Sequence, residues 1–194
     1  VIGSQLLGRL EKLTGKKDIV IGIPVAVRDR EEWENVLGWL MKDLFIREEV
    51  NESLTFSEFM QSFNNTFNEA YTYKVYPMEK ILDELDVSLD AIGCLHMNYL
   101  DYNKHNTLAD TEARHLDYLV FPFFDIDFHL NKYSNAIDVL CVYKSDLFTP
   151  ETIAYICSEY LQLLDRICEN PSLTIRQLAE SSLHVPETPH PDGK

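Results

Sequence analysis

The 194-residue chain has no apolar run near the roughly 20 residues that a membrane-spanning helix needs. It is also poor in positive charge. Seventeen Lys and Arg stand against 32 Asp and Glu, a formal net charge of −15. Such a surface repels phosphate backbones and anionic headgroups, so nucleic-acid and membrane partners are not expected. Cysteine is scarce: Cys94, Cys141, Cys157 and Cys168, with no C-x-x-C pair. A zinc or disulfide framework is therefore not expected. Cys141, Cys157 and Cys168 lie in apolar segments and read as reduced core thiols. No targeting segment is visible, and the expected compartment is the cytoplasm. Missing too are G-x-G-x-x-G, G-x-x-x-x-G-K-[ST] and G-x-S-x-G. The usual dinucleotide, phosphate-loop and nucleophile-elbow signatures are thus absent.

What is present suits one folded unit. Apolar residues make up 45% and aromatics 11%, enough to bury a core. The chain opens in helical rhythm, with Ile2, Leu6, Leu10 and Leu13 on one face, which suggests a piece cut from a larger protein. Residues 1–180 read as one lobe. Residues 181–194, "SSLHVPETPHPDGK", read as a linker or tail.

Between these ends the pattern alternates. "IVIGIPVAV" (19–27) is β-branched and apolar, as a buried strand would be. "VLGWLMKDLFIR" (36–47) predicts a second buried strand, interrupted by Lys42 and Asp43. Strand alternation sends those two side chains to opposite faces. Thr55 with Glu58 forms a capping box ahead of a helix carrying Phe56, Phe59, Met60, Phe63, Phe67, Ala70 and Tyr71 at helical spacing. Pro77 starts a short helix. Further strands are expected at 93–100, on both sides of Pro122, and at 136–143. A last helix begins at Thr149-Pro150 and ends at Asn170-Pro171, with Ile153, Ile156, Cys157, Tyr160, Leu161, Leu164 and Ile167 on its apolar face. The expected class is α/β, an α+β sandwich with a mixed sheet and flanking helices.

No complete catalytic set emerges. The six histidines fall at 96, 105, 115, 129, 184 and 190, in no metal or relay spacing. Asp125 and Asp127 share one strand face, which could attract a cation or simply face solvent. Neither a metal site nor a catalytic residue is assigned.

Five segments, in order, resemble the C-terminal half of a nonribosomal peptide synthetase condensation domain. They are "LTGKKDIVIGIPVAVRDR", "VLGWLMKDLFIR", "YKVYPMEKILDEL", "LHMNYLDYN" and "YKSDLFTPETIAYICSEYLQLL". The resemblance implies a lobe like that of chloramphenicol acetyltransferase, forming part of a tunnel in which carrier-tethered substrates are joined by an amide bond. The family's H-H-x-x-x-D-G motif belongs to the N-terminal lobe and does not occur in these residues. This lobe alone is therefore expected to be inactive. The resemblance implies no directly bound cofactor; phosphopantetheine would arrive on carrier proteins. The implied partners are the N-terminal lobe, peptidyl or aminoacyl carrier proteins and an adjacent adenylation domain.

The tunnel candidates are Gly38, Trp39, Lys42 and Asp43. Lys-Asp stands where the family has Asn-Thr, and the register favours Lys42 towards the tunnel. Gly38 could permit close backbone approach or a strand bend. Arg28 is expected to anchor a loop, and Pro77 and Glu79 to cap and place a helix. Alternative readings are an inactive partner-recruitment module, or an epimerization or acyltransferase member of the same superfamily.

Overall fold

The computed structural model describes residues 17–33, 35–88, 95–101 and 122–180. The expected N-terminal helix, the strand before Pro122 and the tail lie outside them. Five strands form one mixed sheet: β1 (Asp18–Ala26), β2 (Met41–Glu49), β3 (Leu95–Asp101), β4 (Ile126–Lys132) and β5 (Ile137–Tyr143), ordered β2-β1-β3-β4-β5. β1–β2 and β4–β5 pair antiparallel, while β1–β3 and β3–β4 pair parallel. The helices are α1 (Phe56–Thr72), α2 (Met78–Leu85), α3 (Pro150–Glu169) and α4 (Ile175–Glu180). The expected α/β class with a mixed sheet and flanking helices is what the chain adopts.

Alternation along the strands builds the core. Ile21 faces Ile46 and Leu95, and Leu95 faces Ile126; all four are nearly inaccessible. Met97 and Phe128 continue that face. Against it lie Phe56, Phe59, Met60 and Phe63 of α1, and Ile153, Ile156, Tyr160, Leu163 and Ile167 of α3. The Phe/Met stripe of α1 is thus a packed core face. Each such side chain contributes about 1.5–3 kcal/mol when fully buried. Leu161, expected on the apolar face of α3, is instead exposed. One step of about 100° per residue carries it past the edge of a face already filled by Tyr160.

The helix ends follow their chemistry. Thr55 Oγ1 accepts from Glu58 N, and Glu58 Oε2 accepts from Thr55 N, closing the capping box. Thr149 caps α3, with Pro150 in its first turn. α4 has no counterpart among the expected elements. It starts from a smaller box, in which Thr174 N donates to Gln177 Oε1 and Gln177 N donates to Thr174 Oγ1. It docks on the start of α1 through Ile175 N–Leu54 O and Phe56 N–Leu173 O.

The expected strand over 36–47 is corrected at both ends. Regular pairing starts at Met41 and runs to Glu49. Val36, Leu37 and Trp39 are exposed, Leu37 and Trp39 almost completely. Arg28 explains the later start: its guanidinium donates to the carbonyls of Trp33, Val36 and Gly38 at 2.7, 2.7 and 3.2 Å. Those carbonyls are held by a side chain, so they are not free for a strand ladder.

Candidate functional site

The sheet's second face is polar and centres on His96. Gly22 is the cross-strand neighbour of both Phe45 and His96, and His96 of Asp127. Pro24 faces Asp43. These residues alternate with the core set and point to the opposite side. His96, only 6% exposed, lies across β1 and joins two carboxylates. Its Nδ1 is 2.9 Å from Asp127 Oδ1 and its Nε2 is 3.2 Å from Asp43 Oδ1. One imidazole thereby links β2 to β4 over the intervening strand.

Two neighbours make room for this ring and hold it. A Cβ on Gly22 would lie 2.9 Å from His96 Cδ2, closer than real Cβ contacts come, so a side chain there is incompatible with this ring placement. Phe124, in the bend before β4, stacks on the imidazole with centroids 4.3 Å apart and planes at 2°. Phe124 also meets Phe45, 6.3 Å between centroids. The aromatic face suits a cation beneath it.

The electrostatics make His96 a cation. Burial alone would lower its pKa; the hydrogen bonds to Asp127 and Asp43 outweigh that and raise it to about 9. Asp127 is partly desolvated, which would raise its pKa, yet contacts with His129 and His96 hold it well below the usual carboxylate range. His129 Nε2 is 3.1 Å from Asp127 Oδ2, a Coulombic contact without the alignment of a hydrogen bond. With both ring nitrogens donating, His96 has no lone pair with which to take a proton. The group acts as a charged brace and not as a general base. It leaves Asp43 as the accessible end, with 45% of its side chain exposed.

Lys42 and Asp43 diverge, as strand alternation requires. Lys42 takes the helix side, where Nζ is 3.4 Å from the carbonyl of Val75. Asp43 takes the polar side with His96. Gly38 lies in the exposed loop, and a Cβ there would meet nothing within 4 Å, so no close backbone approach requires glycine. Trp39 extends from the same loop. Pro77 is the N-cap residue of α2, and Glu79 lies in its first turn, where the helix dipole favours an acid. Asp125 and Asp127 do not converge. Asp125 pairs with Lys144 at 2.9 Å, whereas Asp127 turns to the histidines. Among the described residues no group of three or more His, Cys, Asp or Glu could hold a metal ion.

A groove of about 550 Å³ lies at the other end of β2, between Glu48, Asn51, Glu52, Phe59 and Arg176. Lys17 and Arg176 pair there with Glu52 at 3.0 and 3.1 Å, and Ser62 donates to Glu48. These contacts tie α4 to the loop after β2, and α1 to β2. No described helix is long and apolar enough to cross a membrane.

Sequence spacing could not expose the His96 group, because its members sit 53 and 31 residues apart and meet only through sheet register. Two faint signals exist. One is a glycine inside an apolar strand, the other a single histidine in "CLHMNYL".

Comparison with known proteins gives a consistent result. Gramicidin S synthase 2 of Brevibacillus brevis is 28% identical over 180 residues, covering 87% of this chain. Enniatin synthase of Fusarium equiseti is 26% identical over 174 residues, covering 86%. The chain spans only 4% and 6% of those two relatives. Among solved structures, the X-domain from teicoplanin biosynthesis superposes with a TM-score of 0.78 at 19% identity, over 91% of this chain and 42% of that one. A holo four-domain nonribosomal peptide synthetase bound to AMP and glycine gives 0.78 at 16%, over 90% and 15%. Both likenesses are likenesses of fold. The family model described as Condensation domain matches residues 6–182, nearly the whole chain, and the chain belongs to that family.

Proposed function

We propose that residues 1–180 are the C-terminal lobe of a condensation domain, that residues 181–194 lead away from it, and that it serves amide-bond formation between carrier-tethered substrates in nonribosomal peptide synthesis. The observation that carries this reading is the family match across residues 6–182. The sheet's polar face, with Asp43 at its accessible end, forms one wall of the substrate tunnel. Gly38 and Trp39 stand at the rim. Lys42, on the helix side, supports the loop carrying Val75. The central imidazole of His96, held between two carboxylates, is not a free base, which fits a wall whose chemistry is done by the N-terminal lobe. What such a wall supplies is orientation of two bound reactants.

In this reading the partners are the N-terminal lobe, the donor and acceptor carrier proteins, which bring phosphopantetheine arms, and a neighbouring adenylation domain. The compartment is the cytoplasm, where such modules meet their substrates. The test is turnover by the full-length protein with aminoacyl groups loaded on its carriers. An amide-linked product is expected. A folded, correctly loaded protein that makes none, yet binds another protein through this lobe, would replace the reading with a recruitment module. Exchange of an α-proton without condensation would replace it with an epimerization role.

A further inference from the structure

The groove at the end of β2 contains a carboxylate that the fold buries without a counter-charge. Glu48 is 8% exposed and lines the cavity. It lies five residues along β2 from Asp43, on the opposite face of the strand. Its Oε1 accepts from Ser62 Oγ of α1 at 3.1 Å. Among the described residues, Oε2 has no hydrogen-bond partner and no cationic side chain pairs with either oxygen. Lys17 and Arg176 line the same groove, but both reach Glu52. A carboxylate so placed loses hydration without gaining an ion pair, which is unfavourable until a cation arrives.

The walls around Glu48 are held in place by the backbone. Val50 N donates to Lys17 O, Arg176 N to Glu52 O and Ile175 N to Leu54 O. Asn51 Oδ1 accepts from both N and Oγ of Ser53, which fixes the turn after β2. The groove therefore needs little rearrangement to take a ligand. Its volume of about 550 Å³ is that of a small-molecule site. Three glutamates against one lysine and one arginine leave the lining one charge negative. Those carboxylates form no set that could hold a metal ion. Val50, Leu54 and Phe59 supply an apolar stretch beside them. The fitting ligand has N–H donors, one positive charge and a short hydrocarbon body.

We propose that this groove binds a small aliphatic amine in its ammonium form. The ammonium donates to Glu48 Oε2 and supplies the missing counter-charge, a charge-assisted hydrogen bond in a partly desolvated site. The hydrocarbon body lies along Val50, Leu54 and Phe59. Glu48 selects for N–H donors, so a quaternary ammonium of equal charge is a poor substitute, and an organic anion is repelled. The site rests on the helix side of β2 alone and stands whether or not the lobe serves condensation.

The test is photolabelling of the full-length protein with a butylammonium probe that carries a diazirine, followed by peptide mapping. The expected result is saturable labelling of the peptides that carry residues 48–62 or Arg176. Butylammonium chloride should displace the label, whereas tetramethylammonium chloride and sodium butyrate at the same concentration should not. Glu48→Gln keeps the oxygen that Ser62 bonds and removes the charge; it should weaken saturable labelling about tenfold or more. Labelling that does not saturate, or that falls only on other peptides, would overturn the proposal. So would equal displacement by tetramethylammonium, or undiminished labelling in Glu48→Gln. The labelled position and the competition are read on the unaltered protein, so neither depends on the variant folding.

Discussion

The two faces of the sheet obey the same alternation and solve opposite problems. The helix side buries Ile21, Ile46, Leu95, Ile126 and Phe128, and any apolar side chains of suitable volume would serve there. The polar side buries a histidine, which is tolerated only because two carboxylates, a glycine gap and an aromatic lid are all present. One face is specified by periodicity, the other by register.

Truncating the helix side should do most damage. Phe128→Ala removes a 1% exposed ring between β4 and α3 and should cost about 3–5 kcal/mol in denaturant unfolding. A loss under about 1 kcal/mol would mean the core is not centred there.

The polar side should fail with pH instead. The folded pKa of His96, about 9, lies above its ordinary 6.5, so its contribution is complete below pH 6.5 and is lost as pH rises through 9. Asp127 is lowered, so its contribution is complete above pH 3.8 and is lost on acidification below that value. The brace is strongest between these limits. Raising pH from 6.5 through 9 should remove about 3 kcal/mol, and His96→Gln should flatten that slope. An equal slope in the variant would assign the pH dependence elsewhere.

Gly22→Ala tests the gap between strands. The added methyl displaces the imidazole and should cost about 1–3 kcal/mol. Much of that should return in the Gly22→Ala, His96→Ala double variant, since the two sites share one contact. Strict additivity would contradict the close approach.

Adjacent residues should separate the faces most finely. Lys42→Asn, at an exposed site, should change stability by no more than about 0.5 kcal/mol. Asp43→Asn should draw the His96 pKa back towards 6.5, because one of its two carboxylates is lost. On the tunnel-wall reading proposed above, only the Asp43 change should alter turnover by the full-length protein.

Much of the helix side is legible in the sequence, because helix and strand periods are local. The capping box at Thr55 and the Thr149-Pro150 cap mark α1 and α3 for the same reason. Strand alternation correctly sets Lys42 and Asp43 on opposite faces, but it cannot say which face carries a polar cluster. That choice depends on Asp127 and His96, aligned with Asp43 across β1 by one antiparallel and two parallel pairings. α4 escapes a sequence reading because Thr174 and Gln177 cap only six residues, too few for a periodic signal.

The most direct measurement is an NMR titration of the His96 imidazole in the folded protein. The expected midpoint is about 9, with protons on both ring nitrogens at neutral pH and a fall in the midpoint on Asp127→Asn. A midpoint at or below 6.5 would contradict the charged brace and leave the polar face without its organising contact.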